Sequence, residues 1–295
     1  MITYLIADYL MEKGRMSKEQ CDALYDELGK VRVKLGLIAV SEGMMTPKQA
    51  DEVNTLQAKL DKRFGEIAVE KGYLTDGQVM EILKLQGNPY LSIAQALENL
   101  KIMKMDELED VMKEYQKEYE LSASSLDAIK SDDVSRFLSV FMPSGAEHYL
   151  ELAGVAFRTI TRFVDVNTFP RKGYFAQSVD ADNYAIQLME GENIVITALA
   201  GNKDDLLPVA SLFGKEDFAS VDEDALDAVA EMINCINGLY ASALSQNRIE
   251  MELCPPEFAD GIKNMTSDKM LVLPLVVSGK TVKLILAINH QIDIQ

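Results

Sequence analysis

Residues 222–246, DEDALDAVAEMINCINGLYASALSQ, predict one long amphipathic helix in the C-terminal half of the chain. The acidic start suits the positive end of a helix dipole. Apolar residues recur every three or four positions, which places them on one stripe of a helix and predicts packing against a core. This stripe comprises Leu226, Val229, Ile233, Ile236, Tyr240 and Leu244.

A second stripe lies nearly opposite the apolar one on a helix that advances about 100° per residue. It comprises Asp227, Glu231, Asn234, Gly238, Ala241 and Ser245. A face built only for solubility would favour Lys and Glu and would avoid a mid-helix glycine, which costs about 1 kcal/mol relative to alanine. The pattern therefore indicates an exposed functional face, and the alternative is a solvated polar stripe without a function.

The segments on either side of this helix predict an α+β domain in which helices pack on a mostly antiparallel sheet. Further helices are expected over 147–164 and 204–213, and strands over 184–189, 194–199, 249–253, 270–277 and 282–289. Ser278-Gly279-Lys280 suits a hairpin turn between the last two strands.

The stretch DAVAEMINCING, residues 227–238, resembles the signature of the CheC, CheX and FliY family of chemotaxis phosphatases. The family also places a proline downstream of the asparagine, and Pro255 and Pro256 follow Asn234 by 21 and 22 residues. The order of predicted elements over residues 134–295 is similar to that of a CheX-type domain. The resemblance implies an enzyme whose substrate is the aspartyl phosphate of a CheY-like receiver protein.

In that family, an asparagine in the position of Asn234 orients water for in-line attack, a positioning role that suits phosphoryl hydrolysis. Glu231 would pair with the receiver's lysine, and an i, i+3 spacing lets one helix present both groups. Asp227, Gly238 and Ala241 would dock the receiver. The chain would need no cofactor or metal of its own, because the receiver carries the magnesium ion.

CheX-type domains are internally duplicated, so the helix over 147–164 is the place to seek a second site. Its residues at the matching places are Glu147, Glu151, Gly154 and Arg158. Asparagine is absent and a long arginine replaces the small glycine, so one active face is expected. Domains of this type also pair through their sheets, so a homodimer is expected, with the two apolar C-terminal strands as a candidate edge.

The N-terminal third repeats with a period of 29 residues. A glycine that suits a left-handed helix end is followed by Ser or Thr and, three residues later, Gln, the order of a capping box. The repeated positions are Gly14, Gly43 and Gly72, then Ser17, Thr46 and Thr75, then Gln20, Gln49 and Gln78. Each unit is predicted to be helix, turn, helix, and a fourth unit near Met105 is degenerate.

Two segments within the repeat, 34–57 and 63–86, share one internal layout and resemble the tandem motif of the MshE N-terminal family, which binds cyclic di-GMP. The resemblance implies a nucleotide site formed by Lys34, Gly36, Gly43, Gln57, Arg63, Gly65, Gly72 and Gln86. The first copy departs from the family pattern, because Lys34 replaces an arginine and lysine lacks its bidentate geometry. The alternative is a helical repeat that binds no ligand.

The composition argues against a disordered chain, a nucleic-acid-binding protein and a membrane-spanning protein. The 295 residues are 48% hydrophobic and 26% charged, which excludes disorder of the whole chain, and a net charge of −18 disfavours nucleic acid as a partner. The longest apolar run, Met270–Val277, has eight residues, too few for a membrane span. The start MITYLIADYL lacks a cationic lead, so the chain is expected to be cytoplasmic.

These patterns divide the chain into a helical repeat domain over residues 1–120, a linker over 121–133 and the α+β domain over 134–295. The favoured function is the receiver phosphatase. The alternative is a non-catalytic cyclic di-GMP receptor or scaffold in two-component signalling.

Overall fold

A computed structural model of the chain describes residues 2–60, 62–131 and 133–295. It consists of two compact units, residues 2–131 and residues 133–295. None of the helices in the described residues is long and apolar enough to cross a membrane.

The N-terminal unit is built of short helices joined by tight turns. They are α1 (Ile2–Glu12), α2 (Lys18–Leu28), α3 (Leu35–Ser41), α4 (Pro47–Leu60), α5 (Phe64–Glu70), α6 (Asp76–Lys84), α7 (Pro89–Asn99), α8 (Met105–Glu118) and α9 (Ala123–Lys130). A short 3-10 turn, Leu85–Gly87, follows α6.

Local chemistry at the turns explains why these residues form helix pairs. Gly14, Gly43 and Gly72 adopt the left-handed φ values of +66°, +66° and +70° that glycine tolerates without strain. In each following capping box, the Gln backbone N–H donates to the Ser or Thr hydroxyl at 3.3 Å. The Gln side-chain oxygen accepts from the Ser or Thr backbone N–H at 2.8–2.9 Å. The helix, turn, helix units are therefore present as predicted.

The degenerate fourth unit keeps the same backbone geometry with different side chains. Lys101, 29 residues after Gly72, is left-handed with φ +56°. The backbone N–H of Lys104 donates to the Glu107 carboxylate at 2.7 Å, in the place of the Thr75 and Gln78 pair. Helices α7 and α8 thus complete a fourth pair whose turn lacks the favoured glycine.

The segment predicted as the linker, residues 121–133, is mostly helical, because α9 occupies Ala123–Lys130. The Ser122 hydroxyl caps α9 by accepting from the Ser125 N–H at 3.0 Å. Ala128 and Ile129 are buried, and Lys130 donates to both carboxylate oxygens of Glu109 at 3.0 Å. A helix of two turns is too short to show the apolar periodicity on which the sequence prediction relied.

The C-terminal unit contains helices and one antiparallel sheet, whose strands are interspersed with the helices along the chain. Its elements are α10 (Val134–Phe141), α11 (Leu150–Phe163), β1 (Phe169–Pro170), β2 (Tyr174–Gly191), β3 (Ile194–Gly201), α12 (Leu207–Gly214), α13 (Glu223–Gln246), β4 (Met251–Leu253), β5 (Glu257–Val277), β6 (Lys280–Ile288) and β7 (Asp293–Ile294). A 3-10 turn, Glu147–Tyr149, leads into α11. The α+β class is confirmed.

Strands β2, β3, β6 and β5 close a ring of antiparallel pairings, since β2 pairs with both β3 and β5, and β6 pairs with both β3 and β5. Ser278 and Gly279 make the two-residue turn between β5 and β6, with φ of +47° and +79°. The C-terminal strands therefore offer no unpaired edge of the expected kind, because ring closure covers them. A homodimer stays a prediction.

β2 and β5 are much longer than the predicted strands 184–189 and 270–277. Their additional residues pair with each other, as in Val179 opposite Met265, and form an arm with irregular register at two places. The arm and its neighbours cover the sheet face opposite α13, where Ile186, Ile196 and Ile285 are buried. Polar residues such as Asp180 made this stretch resemble a loop in the sequence.

Two substitutions test whether Gly72 and Lys101 occupy equivalent left-handed turns of the repeat. Replacing Gly72 with alanine puts a Cβ at φ +70° and is expected to lower the free energy of unfolding by about 1 kcal/mol. Lys101→Gly removes the same strain and is expected to raise that free energy by a smaller amount, because glycine gains entropy in the unfolded chain. Urea unfolding followed by far-UV circular dichroism measures both. Effects of the same sign would contradict the shared geometry.

Candidate functional site

The candidate site lies on α13, the longest helix of the described residues. Asp222 caps its start by accepting from the Ala225 N–H at 3.1 Å. The predicted apolar stripe is buried against the sheet, with Val229 and Ile233 fully inaccessible. On the other side, Asp227 and Glu231 are exposed and Asn234 is half-buried. The outward stripe therefore stands on a helix held rigidly by its inner face.

Beyond Asn234, the outward stripe is open. Apart from adjacent residues and the backbone of its own helix, no described atom lies within 4 Å of the place that a Cβ on Gly238 would occupy. The next small residue, Ala241, is half-buried, whereas Leu239 beside the stripe has 52% of its surface exposed. These small residues leave room beside the helix for another backbone or side chain, and no close contact among the described residues requires a glycine at position 238.

The side chain of Asn234 is held by a buried amide on the neighbouring strand β2. Gln187 Nε2 donates to Asn234 Oδ1 at 2.8 Å and to the backbone oxygen of Cys254 at 2.8 Å. Gln187 Oε1 accepts from Asn237 Nδ2 at 2.9 Å. These three amides form what we name the amide cluster: Gln187, Asn234 and Asn237.

Two members of the amide cluster are almost inaccessible, Gln187 at 2% and Asn237 at 0% exposure. Thr197, the cross-strand neighbour of Gln187, is also buried. Asn237 Oδ1 and Thr197 Oγ1 have no hydrogen-bond partner among the described residues. Gln187 and Asn237 were not predicted as site residues; the signals in the sequence were a polar residue within a predicted strand and an asparagine near the apolar stripe.

The downstream prolines lie beside this cluster along the chain. Pro255 and Pro256 directly follow Cys254, whose backbone oxygen shares the Gln187 amide with Asn234. The Cys254 backbone N–H donates to Leu188 on β2 at 2.9 Å, which anchors the segment. Gln187 therefore connects Asn234 to the residue that directly precedes the two prolines.

The acidic residues of the stripe have no counter-charge within the described parts of the chain. Neither Asp227 nor Glu231 makes an ion pair with another described residue. Behind the stripe, burial and, secondarily, the Glu151 carboxylate raise the pKa of Tyr240. Two carboxylates one turn apart thus present negative charge to the outside. No group of three or more His, Cys, Asp or Glu side chains in the described residues is arranged to hold a metal ion.

The matching positions on the earlier helix look different. Glu151 is exposed, but Gly154 is buried and the guanidinium of Arg158 folds over it, 3.1 Å from the place of a Cβ. Glu147 lies in the 3-10 turn before α11 and accepts from the Gly145 N–H. The space that is open at Gly238 is filled here by the helix's own arginine.

The residues predicted to bind a nucleotide are only partly brought together. Lys34 and Arg63 are exposed and precede α3 and α5, and Gln86 donates to the Val33 backbone oxygen at 3.0 Å. The N–H of Lys34 donates to the buried Gln95, and that of Arg63 donates to Glu66, both at 3.1 Å.

The four glycines of the predicted nucleotide site have folding roles, and Gln57 is exposed on α4. Gly36 and Gly65 start α3 and α5 where a Cβ would approach Phe64 at 3.1 Å and Val79 at 2.7 Å. Gly43 and Gly72 lie in the left-handed turns at the far ends of the same helices.

Comparison with known proteins finds similarity in the C-terminal unit. The family model described as chemotaxis phosphatase CheX matches residues 184–275, a segment that contains Gln187, all of α13 and both prolines. A search of the curated proteins found no match.

Several solved structures are similar to about half of the chain. They include a chemotaxis protein CheX from Desulfovibrio desulfuricans, with 15% identity, coverage of 48% of this chain and 99% of that one, and a TM-score of 0.43. A CheX from Vibrio vulnificus shares 12% identity over 47% of this chain and 96% of its own, with a TM-score of 0.41. A CheX–CheY–BeF3–Mg²⁺ complex from Borrelia burgdorferi matches with 16% identity, 47% and 96% coverage and a TM-score of 0.36.

Gly238 provides a direct test of the open face. Gly238→Ala is expected to raise the free energy of unfolding by about 1 kcal/mol, because alanine is the better helix former and meets no neighbour there. Thermal unfolding measures the change. The matched control Ala241→Gly, one turn along the same stripe, should have the opposite effect, and destabilisation by Gly238→Ala would show that the face is not open.

Proposed function

We propose that this chain is a phosphatase for the aspartyl phosphate of a CheY-like receiver protein. The observation that carries the proposal is that the exposed Glu231 and the half-buried Asn234 lie on the outer stripe of one helix, within the residues matched by the CheX family model. An enzyme that positions groups around a substrate needs such fixed side chains more than it needs a deep pocket.

The reaction requires little from the protein because the receiver supplies the phosphoryl group and its magnesium ion. Water attacks phosphorus opposite the aspartyl oxygen, the P–O bond to the aspartate breaks, and the water's proton leaves with the inorganic phosphate or solvent. Asn234 holds the water in line. Its Oδ1 accepts from Gln187 Nε2, so the Nδ2 protons remain to donate to the oxygen of that water.

Glu231 and Asp227 supply the electrostatic part of recognition. Their carboxylates are exposed and carry no ion pair with a described residue, so a basic partner gains contacts without breaking any. Glu231 pairs with the receiver's lysine, and Asp227 extends the acidic surface by one turn. The half-buried Ala241 and the open Gly238 allow the receiver to approach the helix closely.

The primary test is dephosphorylation of the receivers encoded by the same organism. Adding the wild-type chain should speed the loss of phosphate, and Asn234→Ala should reduce that acceleration by about 100-fold or more, the usual cost of removing a group preorganised for the transition state. Phosphate release or loss of radiolabel from the receiver measures the rate.

The control is Gln246→Ala at the exposed end of the same helix, which should keep the wild-type rate. Full acceleration by Asn234→Ala would refute the assigned role. Glu231→Gln separates binding from chemistry, because loss of the pair with the receiver's lysine is expected to raise KM for the phosphorylated receiver.

Cyclic di-GMP binding by the N-terminal unit is a second proposal. The observation in its favour is that the exposed Arg63 guanidinium makes no ion pair with a described residue, which leaves it available to an anionic ligand. Calorimetry with the dinucleotide should show heat of binding that Arg63→Ala removes. The exposed Lys48→Ala on α4 is the control, and absence of heat with the wild-type chain would exclude the ligand.

A further inference from the structure

The amide cluster places polar side chains in the core, where apolar residues are usual. Gln187 lies in the C-terminal part of β2, between Ala185 and Met189, which face the same side of the sheet and are both inaccessible. Burying a primary amide costs roughly 1–3 kcal/mol unless hydrogen bonds compensate, and an apolar side chain of the same length would avoid that cost. Folding alone gives little reason for glutamine at this position.

The hydrogen bonds of the cluster fix which way each amide points. The Cys254 backbone oxygen can only accept, so the Gln187 atom facing it must be Nε2. That same nitrogen faces Asn234, so the Asn234 atom towards the core must be Oδ1. The assignment therefore rests on a backbone group and not on a free choice between oxygen and nitrogen.

We infer that Gln187, held in turn by Asn237, is a positioning residue that fixes the carboxamide plane of Asn234 for catalysis. The inference deepens the proposed phosphatase function and rests on it. The terminal torsion of an asparagine side chain is broad and roughly two-fold, so an unrestrained carboxamide presents its donor and acceptor interchangeably. Gln187 removes that freedom before the receiver arrives, because holding Oδ1 leaves Nδ2 on the side of the carboxamide away from Gln187.

The cluster also connects two elements distant in sequence. Gln187 is 47 residues before Asn234 in the sequence. Its hydrogen bond with Asn237 attaches it to α13 at a second point, one turn beyond Asn234. Any rotation of α13 about its axis would break one or both bonds. Gln187 thereby sets the direction of the carboxamide and the rotational position of the catalytic helix together.

The test compares Gln187→Met with the wild-type full-length chain. Methionine keeps the length of the side chain and removes its hydrogen bonds. We expect kcat for receiver dephosphorylation to fall about 10- to 100-fold with KM for the phosphorylated receiver unchanged, since the docking face stays intact. Thr197→Val is the matched control, because it alters the buried cross-strand neighbour and removes a hydroxyl that forms no hydrogen bond with a described residue. It should retain wild-type kcat.

A second readout does not depend on the receiver. The side-chain amide signals of Asn234, observed by NMR, should be ordered in the wild-type chain, become mobile in Gln187→Met and remain ordered in Thr197→Val. If Gln187→Met does not fold, Asn237→Leu loosens Gln187 from its other side and should change kcat and the signals in the same direction.

The outcomes separate this inference from the proposed function. Unchanged Asn234 signals in Gln187→Met, or wild-type kcat in that variant when Asn234→Ala is inactive, would overturn the positioning role and leave the phosphatase standing. A wild-type chain that accelerates no receiver, with Asn234 signals that still depend on Gln187, would overturn the phosphatase while supporting the fixed carboxamide.

Discussion

Helix α13 buries one stripe of its surface against the sheet and leaves the opposite stripe at the surface, and the rest of the C-terminal unit is arranged around that division. The inner stripe contacts β2, β3 and β5, which are joined in a closed ring of pairings. Ring closure makes the support stiff, because no strand of the ring can slide without breaking pairings on both sides. Because the outer stripe belongs to the same helix, its side chains stand on a stiff support, which suits side chains that must be held in a fixed geometry.

Several residues on or beneath the outer stripe lower the stability of the C-terminal unit. Gly238 weakens the middle of the helix, and Gln187 and Asn237 bring amides into a core where apolar residues would pack more favourably. Asn237 Oδ1 and Thr197 Oγ1 even lack partners among the described residues. Local departures from the rules of folding that converge on one surface are the expected signature of a functional site.

Structural features that depend on residues close together in the sequence were predictable. Those that depend on contacts between residues far apart in the sequence were not. The capping boxes after Gly14, Gly43 and Gly72 and both stripes of α13 follow from short-range spacing. The β2–β5 arm depends on pairing across about 90 residues, as between Val179 and Met265, so its polar residues were mistaken for a loop. The contact of Gln187 with Asn234 is equally non-local, and helix α9 was too short to be recognised.

The contrast between α11 and α13 explains why exposure of a carboxylate is not enough to make a site. Glu151 on α11 is as exposed as Glu231 on α13, yet the position one turn beyond it differs. The guanidinium of Arg158 lies across Gly154 and adds bulk and positive charge, whereas the matching residue Gly238 leaves open space. A partner approaching α11 would have to displace that guanidinium and would find no carboxamide, whereas α13 offers an unpaired carboxylate, a fixed carboxamide and room beside them. Under the proposed function, recognition of the receiver would depend on the open space at Gly238 as much as on the side chains that the helix displays.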